Sequence, residues 1–338
     1  MVMADASAGR SLAIHYLRAL AAIMIVAYHV FTYQFLPVDN IAQVAWLSRG
    51  VAIFFVISGF VIVSSTAKSP HQPLRFLQRR IIRVVPLYWL PTLALILAFG
   101  GRDGSHLLKS LLFLPIIDGE TGQALWPVLD PGWTLNFEMA FYALFALFML
   151  LPRPIAIWLL AALLAILPAV PLFVSLPPAL AYYTSPLLLN FAAGMLIAHL
   201  GLRAPVWMLP LGFLLLIVTP SWPDLPALSI ILPATLIVAS ARAFDPSLPT
   251  WRVPLLLGDA SYAIYLSHIF VMFLILPDDP PATILAATLM LLSLMLASIA
   301  LGVVVHLLIE KPLSRLLRGK RPSFQAAGGE TQKAAQTI

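Results

Sequence analysis

The sequence predicts an all-α fold, a polytopic transmembrane bundle of about ten helices with both termini cytoplasmic. Three observations carry that expectation. The 338 residues are 61% hydrophobic and only 10% charged, whereas soluble domains carry roughly a quarter charged residues, so the chain cannot cover a water-facing surface. The mean hydropathy is +0.96, gathered in runs close to the ~20 residues that a spanning helix needs. Those runs are continuous rather than alternating, which excludes a transmembrane β-barrel. The net charge of +6 suits membrane-flanking Lys and Arg and no nucleic-acid partner is expected. Zero cysteines exclude disulfides, thiolate nucleophiles and thiolate metal sites.

The elements follow in order. A short cytoplasmic segment, 1–11, precedes a first span, 12–35, whose Arg18 and His29 mark a retained helix rather than a cleaved signal. The second span, 44–66, contains Gly50, Ser58 and Gly59, small residues that let helices approach closely. The third, 84–100, follows a basic stretch holding Arg75, Arg79, Arg80 and Arg83. Leu107 to Pro115 is apolar but too short to span, and reads as an interfacial or re-entrant piece of a long loop. Seven further spans are predicted at 132–151, 155–174, 179–199, 206–220, 226–242, 254–276 and 281–308. The transmembrane region, 12–312, ends in a basic tail, 313–338, expected to be disordered and cytoplasmic. No internal repeat of the transporter kind is visible.

Charge sets the expected orientation. With the N-terminus inside, Arg10, the 68–83 stretch, Arg153, Arg203, Arg242, Arg252 and the 311–321 stretch are cytoplasmic. The outer side then holds Arg49, Arg102 and Lys109 against Asp39, Asp103, Asp118, Glu120, Asp130, Asp224, Asp278 and Asp279. That is a positive-inside pattern.

Ionisable residues inside spans are costly and point to function. Arg18 and His29 are eleven residues apart, which places them on one helix face about 16 Å apart along the axis. Glu138, early in the fourth span, and His268, in the ninth, should lie at the depth of His29. A carboxylate beside an imidazole can hold its tautomer and raise its basicity, as general-base catalysis requires. Structural alternatives remain: Arg18 can snorkel, and either histidine can bond a helix carbonyl. Arg79 and Arg83, four apart, share a helix face with Arg80 alongside. Such forks suit phosphates, whether of a ligand or of anionic lipids. Tyr88, Trp89 and Trp133 equally suit an interfacial aromatic belt. His15, His71, His106, His199 and His306 lack partners at metal-ligand spacing, and no HExxH, Gly-x-Ser-x-Gly or phosphate-cradling Gly loop occurs.

At these residues the chain resembles the acyltransferase 3 family of integral membrane O-acyltransferases, in particular its bacterial exopolysaccharide and cell-surface-glycan branch. The resemblance rests on six ordered pieces: Leu17-Arg18 through His29, Phe54 to Phe60, Arg79 to Trp89, Trp133 to Tyr142, Gly258 to His268, and Glu310-Lys311-Pro312. It implies a cytoplasmic acyl-CoA donor, usually acetyl-CoA, with no metal, and an acceptor hydroxyl on an exopolysaccharide or lipid-linked sugar at the inner membrane. It also implies that Arg18 and His29 are essential. Many relatives carry an appended hydrolase-like domain, and a transfer step by such a domain is expected to be absent here or to belong to a partner. On this reading His29 and Glu138 are catalytic and Arg18, Arg79, Arg80 and Arg83 hold the donor phosphates. Ser58, Trp133, Tyr265 and His268 are candidate substrate or oxyanion contacts. Membrane lipids are partners in any case. A homo-oligomer or polysaccharide-synthesis machinery stays open, because Gly59 and Gly194 could pack within a bundle or between copies. The competing classes are a transporter or flippase for an anionic sugar or lipid-linked precursor, and a structural subunit of an export complex.

Overall fold

Small residues decide how closely the long helices meet. In lipid, apolar side chains gain little by leaving one greasy neighbour for another, so close backbone approach supplies the packing. In the computed structural model, which describes residues 11–34, 43–67, 71–100, 103–219, 226–275 and 283–318, α3 (Gly50–Thr66) and α9 (Leu188–His199) touch at Gly59 and Gly194. A Cβ on Gly59 would lie 2.2 Å from the Phe191 carbonyl oxygen, and one on Gly194 1.9 Å from that of Val56. Gly50, at the start of α3, sits equally hard against α1 (Leu12–Gln34), where its Cβ would meet the Ala21 carbonyl at 2.7 Å. The contact role expected of Gly50 and Gly59 is therefore met within the bundle.

α1 also packs along α12 (Arg252–Ile275), and α12 packs along α13 (Ile284–Val305). Stacked rings fill the space between α3, α6 (Trp133–Phe148) and α9: Phe191 lies 4.4 Å from both Phe55 and Phe141. α7 (Arg153–Ile166) covers α9, while α10 (Met208–Val218) and α11 (Pro226–Ala241) pair beside α3.

Among the described residues, eight helical segments are long and apolar enough to cross a membrane. Two of the ten expected spans are shorter: α6 has 16 residues and α10 has 11, about 24 and 17 Å against the ~30 Å of a hydrocarbon core. α4 (Pro73–Phe99) differs in the other direction. Its 27 residues begin at Pro73 rather than 84, so the arginine stretch is the first turns of the helix itself. Proline at the first turn lacks only an N–H that would be unpaired anyway.

The segment expected to be interfacial is a small folded cap. α5 (Gly104–Leu111) leads into a two-stranded hairpin of β1 (Ile116–Ile117) and β2 (Ala124–Leu125), paired Ile116 with Leu125 and Ile117 with Ala124. At its turn, the backbone N–H and hydroxyl of Thr121 hold the Asp118 carboxyl below the usual carboxylate range. The Trp89 indole donates to the Leu111 carbonyl at 2.9 Å and pins the cap to α4.

The chain ends otherwise than expected. After α13 a π turn, His306–Glu310, leads into α14 (Lys311–Arg318), so the first part of the expected tail is helical. The residues before 11 and after 318, with Asp39, Lys68, Arg102, Asp224, Asp278 and Asp279, lie outside the described residues.

Candidate active site

Three cavities lie end to end through the bundle. The first is at the end where α1 begins, about 710 Å³, and is lined by Arg18, Arg83, Asp259, Glu310, Lys311 and Arg315. The π turn shapes its wall. Within it the His306 ring lies 2.7 Å from the Glu310 carboxylate, four residues on.

Arg18 and Arg83 also line the second cavity, about 100 Å³, together with Arg80, Ser58, Glu138 and Tyr142. Arg80 reaches it from α4, donating to Ser65 Oγ at 3.2 Å with its guanidinium over the rings of Phe76 and Tyr142. Its Nε is buried with no hydrogen-bond partner among the described residues. Three guanidiniums thus face one carboxylate, an excess of positive charge suited to an anion. Arg79 is exposed and lines neither cavity. One residue's rotation of about 100° separates it from Arg80, and the expectation that Arg79 joins this cluster is not what the geometry gives.

Val51 and Tyr265 are common to the second cavity and a third, about 700 Å³, at the opposite end. His29, Tyr28, Arg49, Trp126, Asp130 and Trp133 line it. The cap places Trp126 and Asp130 there, and the two indoles meet edge to face at 6.1 Å.

His29 and His268 form a pair. His268 is fully buried, lines none of these cavities, and its Nε2 lies 3.0 Å from His29 Nδ1. Its Nδ1 lies 3.2 Å from the Ile264 carbonyl oxygen. A carbonyl only accepts, so in a neutral pair Nδ1 of His268 carries the proton and its Nε2 is an acceptor. His29 Nδ1 must then be the donor, shared with the Ile25 carbonyl at 3.1 Å. The basic lone pair of His29 is left on Nε2.

Glu138 does not hold His29. Its Oε1 accepts from Ser58 Oγ at 3.2 Å and, in a short bond, from the Tyr142 hydroxyl. Equal depth does not specify face. α1 packs along α12, which turns His29 toward His268, while α6 packs against α4, which turns Glu138 toward the arginines. Ser58 gives its proton to Glu138 in that same cavity. Tyr265 gives its only proton to the Pro131 carbonyl at 2.7 Å, so it braces the wall and has none left for an oxyanion. Trp133 faces the third cavity. Arg49 and Trp126 were missed as site residues. Arg49 left a signal, an arginine on the side expected to be poor in positive charge, whereas nothing in the sequence tied Trp126 to the histidines.

Among the described residues no group of three or more His, Asp or Glu side chains could hold a metal ion. The helices and cavities together define a multi-pass membrane protein with a basic cavity at one end and a histidine pair near the other. The chain belongs to the acyltransferase 3 family, whose acyltransferase domain matches residues 11–307. It is a membrane acyltransferase. It is 32% identical over 307 residues to the exopolysaccharide production protein ExoZ of Rhizobium meliloti (strain 1021), across 83% of this chain and 94% of the relative. It is 29% identical over 379 residues to the acyltransferase MdmB of Streptomyces mycarofaciens, across 94% and 95%. No solved structure matches it significantly.

Proposed function

We propose that this protein moves an acetyl group from cytoplasmic acetyl-CoA to a hydroxyl of an exopolysaccharide or lipid-linked sugar at the bacterial inner membrane. The observation that carries this reading is the run of cavities joined by shared walls, with arginines at one end and His29 at the other. The glycan acceptor is taken from the relative described as an exopolysaccharide production protein. The basic end is assigned to the cytoplasm by the positive-inside rule.

Arg18, Arg80 and Arg83 bind the CoA phosphates, each guanidinium offering paired donors to phosphate oxygens. The pantetheine arm extends past Glu138 toward Tyr265. His29, about 16 Å from Arg18 along α1, takes the proton from the acceptor hydroxyl through Nε2 as the oxygen attacks the thioester carbonyl. The new C–O bond forms, the C–S bond breaks, and the thiolate leaves with the proton that His29 had taken. His268 acts by holding His29 in the tautomer that makes Nε2 the base. Glu138, with Ser58 and Tyr142, sets the net charge of the donor cavity and is proposed as a binding rather than proton-transferring residue.

His29→Ala should abolish acetylation of the glycan while leaving acetyl-CoA binding to purified protein intact. Near wild-type acetylation by that variant would overturn the catalytic assignment.

A further inference from the structure

The third cavity contains a half-buried cation that the proposed reaction does not use. Arg49 lies within the apolar segment Ala45–Thr66, at the junction of α2 (Ala45–Ser48) and α3. A guanidinium there is costly unless something compensates it. The protein compensates little. Nη2 lies 3.4 Å from Ser229 Oγ, and Nη1 is buried with no hydrogen-bond partner among the described residues. Asp130 lines the same cavity, yet no ion pair joins it to Arg49 among the described residues.

The rest of that wall fits a sugar. Trp126, Trp133 and Tyr28 offer apolar ring surface with polar edges, and Ser48 and Thr32 offer hydroxyls. The volume of about 700 Å³ holds a mono- or disaccharide-sized ligand, within the ordinary range of small-molecule sites. Because Arg49 and His29 share this cavity, a group held by Arg49 belongs to the molecule whose hydroxyl meets His29.

We infer that the acceptor is an anionic sugar, bearing a carboxylate or a phosphate, and that Arg49 pairs with that oxyanion through its unpartnered Nη1 edge. The inference rests on the proposed function for the identity of the ligand as acceptor. The anion-binding claim stands apart from catalysis.

The test is equilibrium binding of methyl glucoside, methyl glucuronide and glucose 1-phosphate to the full chain in phosphatidylcholine nanodiscs, where no anionic lipid competes. At least one of the two anionic sugars should bind about tenfold more tightly than the neutral one, a modest value for a charge-assisted contact. The glucuronide and phosphate arms tell a carboxylate from a phosphate. Arg49→Gln should remove the preference and Arg49→Lys should keep part of it. Equal binding of all three ligands to the wild-type protein, or a preference that survives Arg49→Gln, would overturn the inference, and the wild-type comparison does so without any variant. His29→Ala should keep the preference. If His29→Ala instead acetylated glycan normally, the proposed reaction would fall while the anion preference still stood.

Discussion

His268 shows how one buried side chain can control another. It lines none of the three cavities and meets His29 through a 3.0 Å nitrogen pair, the two rings 4.9 Å apart, so its proposed contribution passes through the tautomer of His29. His268→Ala should lower kcat by about ten- to a hundredfold, the scale of a misoriented general base, with KM for acetyl-CoA unchanged. His268→Gln, whose amide oxygen can still accept from His29 Nδ1, should recover part of the rate; a merely structural role would show no such rescue. The arginines divide in the same way. Arg80→Gln and Arg83→Gln should each raise KM for acetyl-CoA about tenfold, since each removes charge-assisted contacts, and Arg79→Gln should leave it unchanged because Arg79 is exposed. A KM for Arg79→Gln raised as far as that for Arg80→Gln would refute the division. His29 and Arg18 stand out as candidates in the sequence because ionisable residues are scarce in such a chain. The pairing of His29 with His268 instead of Glu138 was not, because spacing fixes depth along a helix and leaves the neighbour undetermined.

The element scale is governed by contact between backbones. Gly59→Leu or Gly194→Val would force side-chain atoms into the carbonyl oxygens of Phe191 or Val56, leaving no rotamer an escape. Each change should cost upwards of about 3 kcal/mol, at the severe end for overpacking, read as loss of folded protein in detergent. Gly104→Ala is the control. Nothing lies within 4 Å of its added Cβ, so its effect should stay within about 0.5 kcal/mol. The long α4 was only half visible in the sequence, because four arginines interrupt the apolar pattern before residue 84 and conceal a continuous helix. The cap between α4 and α6 was seen as too short to span, and its hairpin was not seen. Two-residue strands leave no periodicity to read, yet that cap is what sets Trp126 and Asp130 over the histidine end.

For the whole molecule, the proposed orientation follows from charge and can be checked directly, since the natural sequence has no cysteine. Thr121→Cys, in the hairpin turn, should react with a membrane-impermeant maleimide in intact cells, and Gln72→Cys, just before α4, only after permeabilisation. Labelling of Gln72→Cys alone in intact cells would reverse the topology and with it the side from which the donor enters. Composition by itself determined that this chain is a helical membrane protein and where its costly polar residues lie, because bilayer thickness and backbone hydrogen bonding leave so few alternatives. Tertiary structure decided which of those residues meet: His29 with His268, Glu138 with the arginines, and Arg49 with the cavity of His29. The rotation and partner of each helix are set by close contacts between backbones, which no single segment encodes alone.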